Sequence, residues 1–173
     1  MSTEQTKSLE ILQMAIQMEI DGKAFYEKSA KEALHDMGKK LFTTLAAEED
    51  NHRRTFEKIY EALRNRKAWP ITDFHRDKGY TIKTIFAQAA KETKKSAASE
   101  VEAVQKAIEM EIKSYELYTG QIKASDTAAA KGFYEALAAE ERGHQLALVD
   151  YMEFLKDPAG YFVATEHPSL DGG

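Results

Sequence analysis

The octapeptide LAAEEDNH, Leu45 to His52, returns ninety-two residues later as LAAEERGH, Leu137 to His144. A second pair of segments shares that offset. AIQMEIDGKAFY (15–26) and AIEMEIKSYELY (107–118) match at 6 of 12 positions, and the octapeptides match at 6 of 8. Ordinary composition gives roughly one or two matches over so few positions. Both blocks keep their order and need no gap between them. A chain written this way is built from two related units, and its architecture must place equivalent residues in equivalent surroundings.

Hydrophobic periodicity makes each unit a helical hairpin. Leu9, Leu12, Ile16, Glu19, Lys23, Tyr26, Ala30 and Ala33 follow steps of three and four, which is one face of a long helix A. Helix B carries Leu41, Leu45, Glu49, His52, Phe56, Ile59 and Leu63 in the same rhythm. Helix C carries Val101, Val104, Ile108, Glu111, Tyr115, Tyr118 and Ile122, and helix D carries Leu137, Glu141, His144, Leu148, Tyr151 and Leu155. Ser2 or Thr3, Asp36, and Ser125 or Asp126 are the expected N-caps of A, B and D. The fold expected is all-α, an antiparallel four-helix bundle with a long connection between helices B and C. The helix pairs span about 3–64 and 97–156, with a crossover at 65–96. In the crossover Pro70 and Gly79 break the pattern, TIKTIFAQAAKE allows a short helix, and Trp69 is placed to anchor it. One domain thus covers 1–156. A tail, 157–173, follows, with Tyr161 and Phe162 placed to pack on the bundle.

Composition removes several function classes. Net charge is −5 with no basic run, which disfavours nucleic acid. No apolar run approaches the length needed to span a bilayer, and the N-terminus lacks the pattern of a signal peptide, so a cytoplasmic protein is expected. With no Cys, disulfides and thiolate metal sites are excluded.

The charges on the apolar stripes carry the chemistry. Glutamates on helices are ordinarily solvated. Here Glu19, Glu49, His52, Glu111, Glu141 and His144 stand where the stripes require core residues. Four inward carboxylates without cations would be very costly. Two divalent ions balance four carboxylates, with one neutral imidazole for each ion. A Glu and a His three apart share a helix face. Glu49 with His52 can therefore chelate one ion and Glu141 with His144 the other, while Glu19 and Glu111 bridge or close the pair. Oxygen-rich ligation with one His per metal suits iron or manganese. Glu48 and Glu140 repeat as well and compete with Glu49 and Glu141 for the ligand role.

This pattern resembles the ferritin-like superfamily of di-iron carboxylate proteins, and within it the rubrerythrin family, over roughly residues 5–156. The resemblance implies a ferritin-like bundle and a di-iron site, with manganese or a mixed Fe/Mn pair as variants. Its ligands would be Glu19, Glu49, His52, Glu111, Glu141 and His144. It implies oxidation of Fe(II) by peroxide or dioxygen in oxidative-stress defence. Iron oxidation with storage, oxygenation of an organic substrate and metal binding without turnover are the alternatives. Two departures matter. Full-length rubrerythrins carry a Cys-rich rubredoxin domain, so this chain would need an external, rubredoxin-like electron donor. Peroxide-reducing members also carry a further carboxylate one turn after the helix C ligand, where this chain has Ser114.

Other residues are read more plainly. Tyr26 and Tyr118 are either core aromatics or hydroxyl partners of ligating carboxylates. His35, His75 and His167 have no repeat partner and are expected at the surface. Met14, Met18 and Met110 are expected to pack. Phe25, Tyr60 and Tyr134 lie off the core stripes, which points to a homodimer or larger assembly.

Overall fold

A computed structural model describes residues 3–70 and 98–161. It contains α1 (Thr3–Glu32), α2 (Asp36–Arg64), α3 (Ala98–Ala124) and α4 (Ala128–Lys156). Three-residue links at 33–35 and 125–127 fold α1 onto α2 and α3 onto α4. Tyr26 meets Glu111 and Tyr118 meets Glu19, so α1 and α3 are antiparallel. His52 meets Glu140 and His144 meets Glu48, so α2 and α4 are antiparallel too. The end of α2 and the start of α3 therefore lie at opposite ends of the bundle, which demands a long connection. The short helix expected near residue 81, His75, His167 and Phe162 fall outside the described residues.

Each helix end has a local cause. Thr127, not Ser125 or Asp126, is the N-cap of α4, because its hydroxyl accepts the Ala130 N–H at 3.2 Å. His35, not Asp36, is the N-cap residue of α2; Asp36 is already helical and places its charge in the first turn. The register agrees, since positions 35 and 127 are one repeat apart. At its end α2 closes with Arg66 in the left-handed region (φ 57°), and the Lys67 N–H reaches the Ala62 carbonyl at 2.9 Å.

Two apolar clusters fill the bundle. One contains Leu12, Phe56, Ile59, Tyr118, Phe133, Tyr134 and Leu137. The other contains Tyr26, Phe42, Leu45, Val104, Leu148, Tyr151 and Phe154. Along every helix, the buried carboxylates and imidazoles of the repeat fall between them. The stripe expected on α4 is buried throughout, and that on α2 is buried as far as Ile59. On α1 the buried face is rotated by one residue, to Leu12, Ala15, Glu19, Gly22, Tyr26 and Ser29; Ile16 and Lys23 are only half-buried. On α3 the inner face runs through Glu100, Val104, Ala107, Glu111 and Tyr118, and Tyr115 is exposed. Small residues let these backbones come close; at Gly22 an added Cβ would lie 3.4 Å from the Glu49 carboxylate.

Three further expectations change. Tyr134 is buried and meets Trp69 edge-on, so it offers no surface for assembly. Met14 is 53% exposed rather than packed. His35 is fully buried, its Nδ1 3.2 Å from Glu100 Oε2, and the Tyr151 hydroxyl donates to Glu100 Oε1 at 2.6 Å. A lone His in a loop gives no periodic signal, and the partner that draws it inward lies 65 residues away.

Candidate metal centre

Each helix sends its repeat residues to one buried place: Glu19 from α1, Glu49 and His52 from α2, Glu111 from α3, Glu141 and His144 from α4. None is more than 5% exposed. The two imidazoles stack at 5.7 Å between centroids, 12° from parallel. His52 Nδ1 lies 3.4 Å from Glu19 Oε2 and 3.3 Å from Glu141 Oε1. His144 Nδ1 lies 3.5 Å from Glu111 Oε2, 3.6 Å from Glu141 Oε2 and 3.7 Å from Glu49 Oε1.

Two overlapping donor groups result, Glu19–Glu49–His52 and Glu49–Glu111–Glu141–His144. Glu49 belongs to both, and Glu141 presents one oxygen to each imidazole. The carboxylates placed to bridge are thus Glu49 and Glu141. Glu19 beside His52 and Glu111 beside His144 stand at the two ends of the set. The Glu of each Glu-x-x-His lies between both positions because α2 and α4 face each other across the centre.

Around this set the halves exchange support. His52 Nε2 is hydrogen-bonded to Glu140 Oε2 at 2.9 Å, and His144 Nε2 lies 2.8 Å from Glu48 Oε2. Glu48 and Glu140 therefore hold the outer nitrogens of the opposite hairpin's imidazoles and turn Nδ1 inward, rather than competing with Glu49 and Glu141. Such outer partners fix tautomer and ring orientation in metal sites. The Tyr26 hydroxyl donates to Glu111 Oε1 and the Tyr118 hydroxyl to Glu19 Oε1. Of the two readings of these tyrosines, the hydroxyl partner of a carboxylate is the one observed. Burial, then the adjacent carboxylates, keep both phenols protonated as donors.

The electrostatics show what the cluster does without a cation. Burial raises Glu49 well above the usual carboxylate range, and Glu19 adds to it. Burial and Glu141 raise Glu111 to about 8, against the pull of His144. Burial lowers the two imidazoles, yet the surrounding carboxylates win and hold both well above the ordinary histidine value. Glu141 is raised by burial too, but the adjacent His144 and His52 imidazoles bring it below the ordinary range. Protons, in short, stand in for positive charge.

A direct test of fit is whether the inward atoms are spaced as hydrogen-bond partners or as co-ligands. His144 Nδ1, Glu19 Oε2 and Glu141 Oε1 are buried and make no hydrogen bond among the described residues. Donors each 2.0–2.2 Å from one ion at right or tetrahedral angles sit about 2.8–3.6 Å apart. The 3.3–3.7 Å separations found here reach the upper end of that spacing and are too long for good hydrogen bonds.

The family model of rubrerythrin matches residues 10–152. The chain belongs to the rubrerythrin family. No curated protein and no solved structure matches it. Rubrerythrins imply a dinuclear metal site, and the carboxylate and imidazole groups of this chain fit one. Among the described residues no helix is long and apolar enough to cross a membrane.

Proposed function

We propose that this rubrerythrin-family chain is a di-iron oxidoreductase that reduces peroxide or dioxygen and is returned to its ferrous state by a separate one-electron donor protein. The observation that carries the reading is the pair of overlapping donor groups, with both imidazoles turned inward by carboxylates of the opposite hairpin. Glu19, Glu49, Glu141 and His52 would hold one ion, and Glu111, Glu49, Glu141 and His144 the other. Iron, when bound, supplies the electrons and the open coordination positions at which a small oxidant is reduced. The protein's own part is positioning and proton control. The apolar clusters on either side keep bulk water from the carboxylates. Tyr26 and Tyr118 hold Glu111 and Glu19 in place and keep a phenolic proton one hydrogen bond from the site. The chain contains no Cys, so the re-reducing electrons come from outside these 173 residues.

Iron oxidation coupled to storage is favoured over peroxide reduction by one feature, Ser114 in place of a further carboxylate. Anaerobic loading with Fe(II), followed by separate additions of hydrogen peroxide and dioxygen under optical detection, distinguishes the readings. Fast oxidation by peroxide at two irons per chain is expected. Accumulation of many irons per chain would favour storage, and a metal-bound but redox-silent protein would overturn the proposal.

A further inference from the structure

The repeat places the same aromatic stack beside each end of the centre, with one difference. Tyr118, whose hydroxyl is on Glu19, stacks on Tyr134 with centroids 6.3 Å apart and planes 25° apart. Tyr26, whose hydroxyl is on Glu111, stacks on Phe42 at 6.1 Å and 22°. Tyr134 and Phe42 are one repeat apart, so the two stacks are equivalent positions with different chemistry. The next ring outward beyond Tyr134 is Trp69, at 5.8 Å. The position equivalent to Trp69 is Tyr161, and it is joined to Phe42 through Tyr151 and Phe154. One half thus holds an unbroken run of oxidisable rings, Tyr118–Tyr134–Trp69. In the other half the run is interrupted at its first step, because a phenylalanine ring cannot be oxidised under conditions that oxidise Tyr or Trp. Trp69 and Tyr134 also line a cavity of about 580 Å³ with Ile11 and Leu63, where Lys7 and Lys67 outnumber the single carboxylate, Asp126.

We propose that Tyr118, Tyr134 and Trp69 form a one-electron relay between the Glu19 end of the centre and this cavity, where a small anionic reductant of the enediol type is oxidised. The inference rests on the redox reading of the centre. Peroxide takes two electrons. Where only one ferrous ion is present, it receives one electron from iron and the second from Tyr118: H2O2 + Fe(II) + Tyr–OH gives Fe(III) + Tyr–O• + H2O + OH−. Trp69 then gives an electron through Tyr134 to the Tyr118 radical, which takes up a proton at its hydrogen bond to Glu19, and Trp69 is left as a radical cation with its indole proton in place. The enediol anion at the cavity gives an electron to the Trp69 radical cation, releases its proton to solvent and leaves as its own radical anion. The relay spares the centre's ligands from an unpaired oxidising equivalent.

Two measurements on the full chain test this. The sequence contains a single Trp, so pulse radiolysis with the azidyl radical, an oxidant selective for Trp, starts the hole at Trp69. In metal-free protein the tryptophanyl signal is expected to decay into a tyrosyl signal. Tyr134→Phe reproduces the ring that the other half already accommodates at Phe42, and it is expected to slow that decay by at least an order of magnitude. Phe42→Tyr serves as the control and should leave the rate unchanged. An unaltered rate in Tyr134→Phe overturns the relay whatever the centre does. The second measurement freezes protein loaded with one Fe(II) per chain after one equivalent of peroxide and records electron paramagnetic resonance. Wild type is expected to show a tyrosyl radical that ascorbate quenches rapidly by way of Trp69, and Tyr134→Phe a tyrosyl radical that ascorbate quenches slowly. Iron oxidation without any organic radical overturns the relay but leaves the redox reading standing. Absence of iron oxidation together with normal radical transfer in the first experiment overturns the redox reading instead.

Discussion

The two hairpins agree where they touch the centre and differ almost everywhere else on the same helices. On α1–α2, Lys23 lies 3.0 Å from Asp50, and Asp50 also takes Arg53 at 3.1 Å and Arg54 at 2.6 Å. Arg53 in turn reaches Glu57 at 2.5 Å. One repeat later these five positions are Tyr115, Arg142, Gln145, Leu146 and Val149. A charged network has become a face with three exposed apolar residues, Tyr115, Leu146 and Val149. Glu100, His35 and Tyr151 form a buried polar knot, and their equivalents are Ser8, Thr127 and the apolar Ile59. The inner residues are held by the need for two matched donor groups. The outer ones answer only to solvent and local packing, so each half has been free to diverge there.

The comparison breaks most visibly if the bridging and closing carboxylates are exchanged. Glu49→Ala removes a donor common to both groups and is expected to lower metal content from two per chain to near zero. His52→Ala and His144→Ala each remove one imidazole and leave all four carboxylates, so each is expected to retain about one tightly bound metal. Metal analysis after gel filtration checks all three. If Glu49→Ala lost no more metal than either His variant, Glu49 would not bridge.

Removing metal comes next in size, and its pH dependence has a definite sign. Without metal, Glu111 titrates near 8, and Glu49, His52 and His144 are all raised. The native state therefore binds more protons than the unfolded chain, and stability falls as pH rises from about 4.5 to about 8. Glu141, lowered, contributes the opposite way and only in acid. With metal bound the ligands must be deprotonated, so the stabilisation by metal grows over the same window. Melting temperature from pH 5 to 8 is expected to decline for metal-free protein. The gain on adding Fe(II) or Mn(II) is expected to widen, with proton release on binding. A metal-free melting temperature that rises through this window would contradict the assignment.

What the sequence made legible follows the same division. The ligand residues stood out because repetition and an apolar stripe marked them together, and α4, with Leu137, Leu148, Tyr151 and Leu155, was readable on periodicity alone. The inner faces of α1 and α3 were not, because large residues such as Ile16 and Tyr115 outweigh Ala15, Gly22 and Ala107 on any hydrophobic pattern. Close packing around the carboxylates selects the small ones instead. The N-caps could have been found from register, since Thr127 and His35 are one repeat apart. The roles of Glu48 and Glu140 could not, because neither belongs to its own helix's inner stripe and each serves the other hairpin.

Gly38 sharpens the contrast at the helix starts. A Cβ there would overlap the Tyr151 hydroxyl and come within 2.9 Å of Glu100 Oε1. The equivalent residue on α4 is Ala130, where the buried position already carries a Cβ. Gly38→Ala is expected to destabilise by about 1–3 kcal/mol, as overpacked cores do, despite the better helix propensity of Ala. In Tyr151→Phe the hydroxyl is gone, so Gly38→Ala should cost measurably less in that background. Urea unfolding of the four proteins in the cycle measures the coupling, and a coupling of zero would remove the crowding argument.

The smallest effect belongs to the outer faces, where importing the pattern of one half into the other should change little. Leu146 is 51% exposed and Val149 37%. Val149→Glu, copying Glu57, is expected to be neutral within about 0.5 kcal/mol, as surface substitutions usually are. Leu146→Arg, copying Arg54, differs in one respect. Arg54 stands four residues after Asp50, but Leu146 stands four after Arg142. The imported charge meets a like charge one turn away and should cost a few tenths of a kcal/mol, less at high salt. Adding Arg142→Asp restores the sign found on α2 and should recover that cost, with a coupling of about 0.3–0.5 kcal/mol in a double-mutant cycle. A coupling that persists undiminished in high salt would mean that the pair is not solvent-screened, and that the outer face of α4 is less open than its exposure indicates.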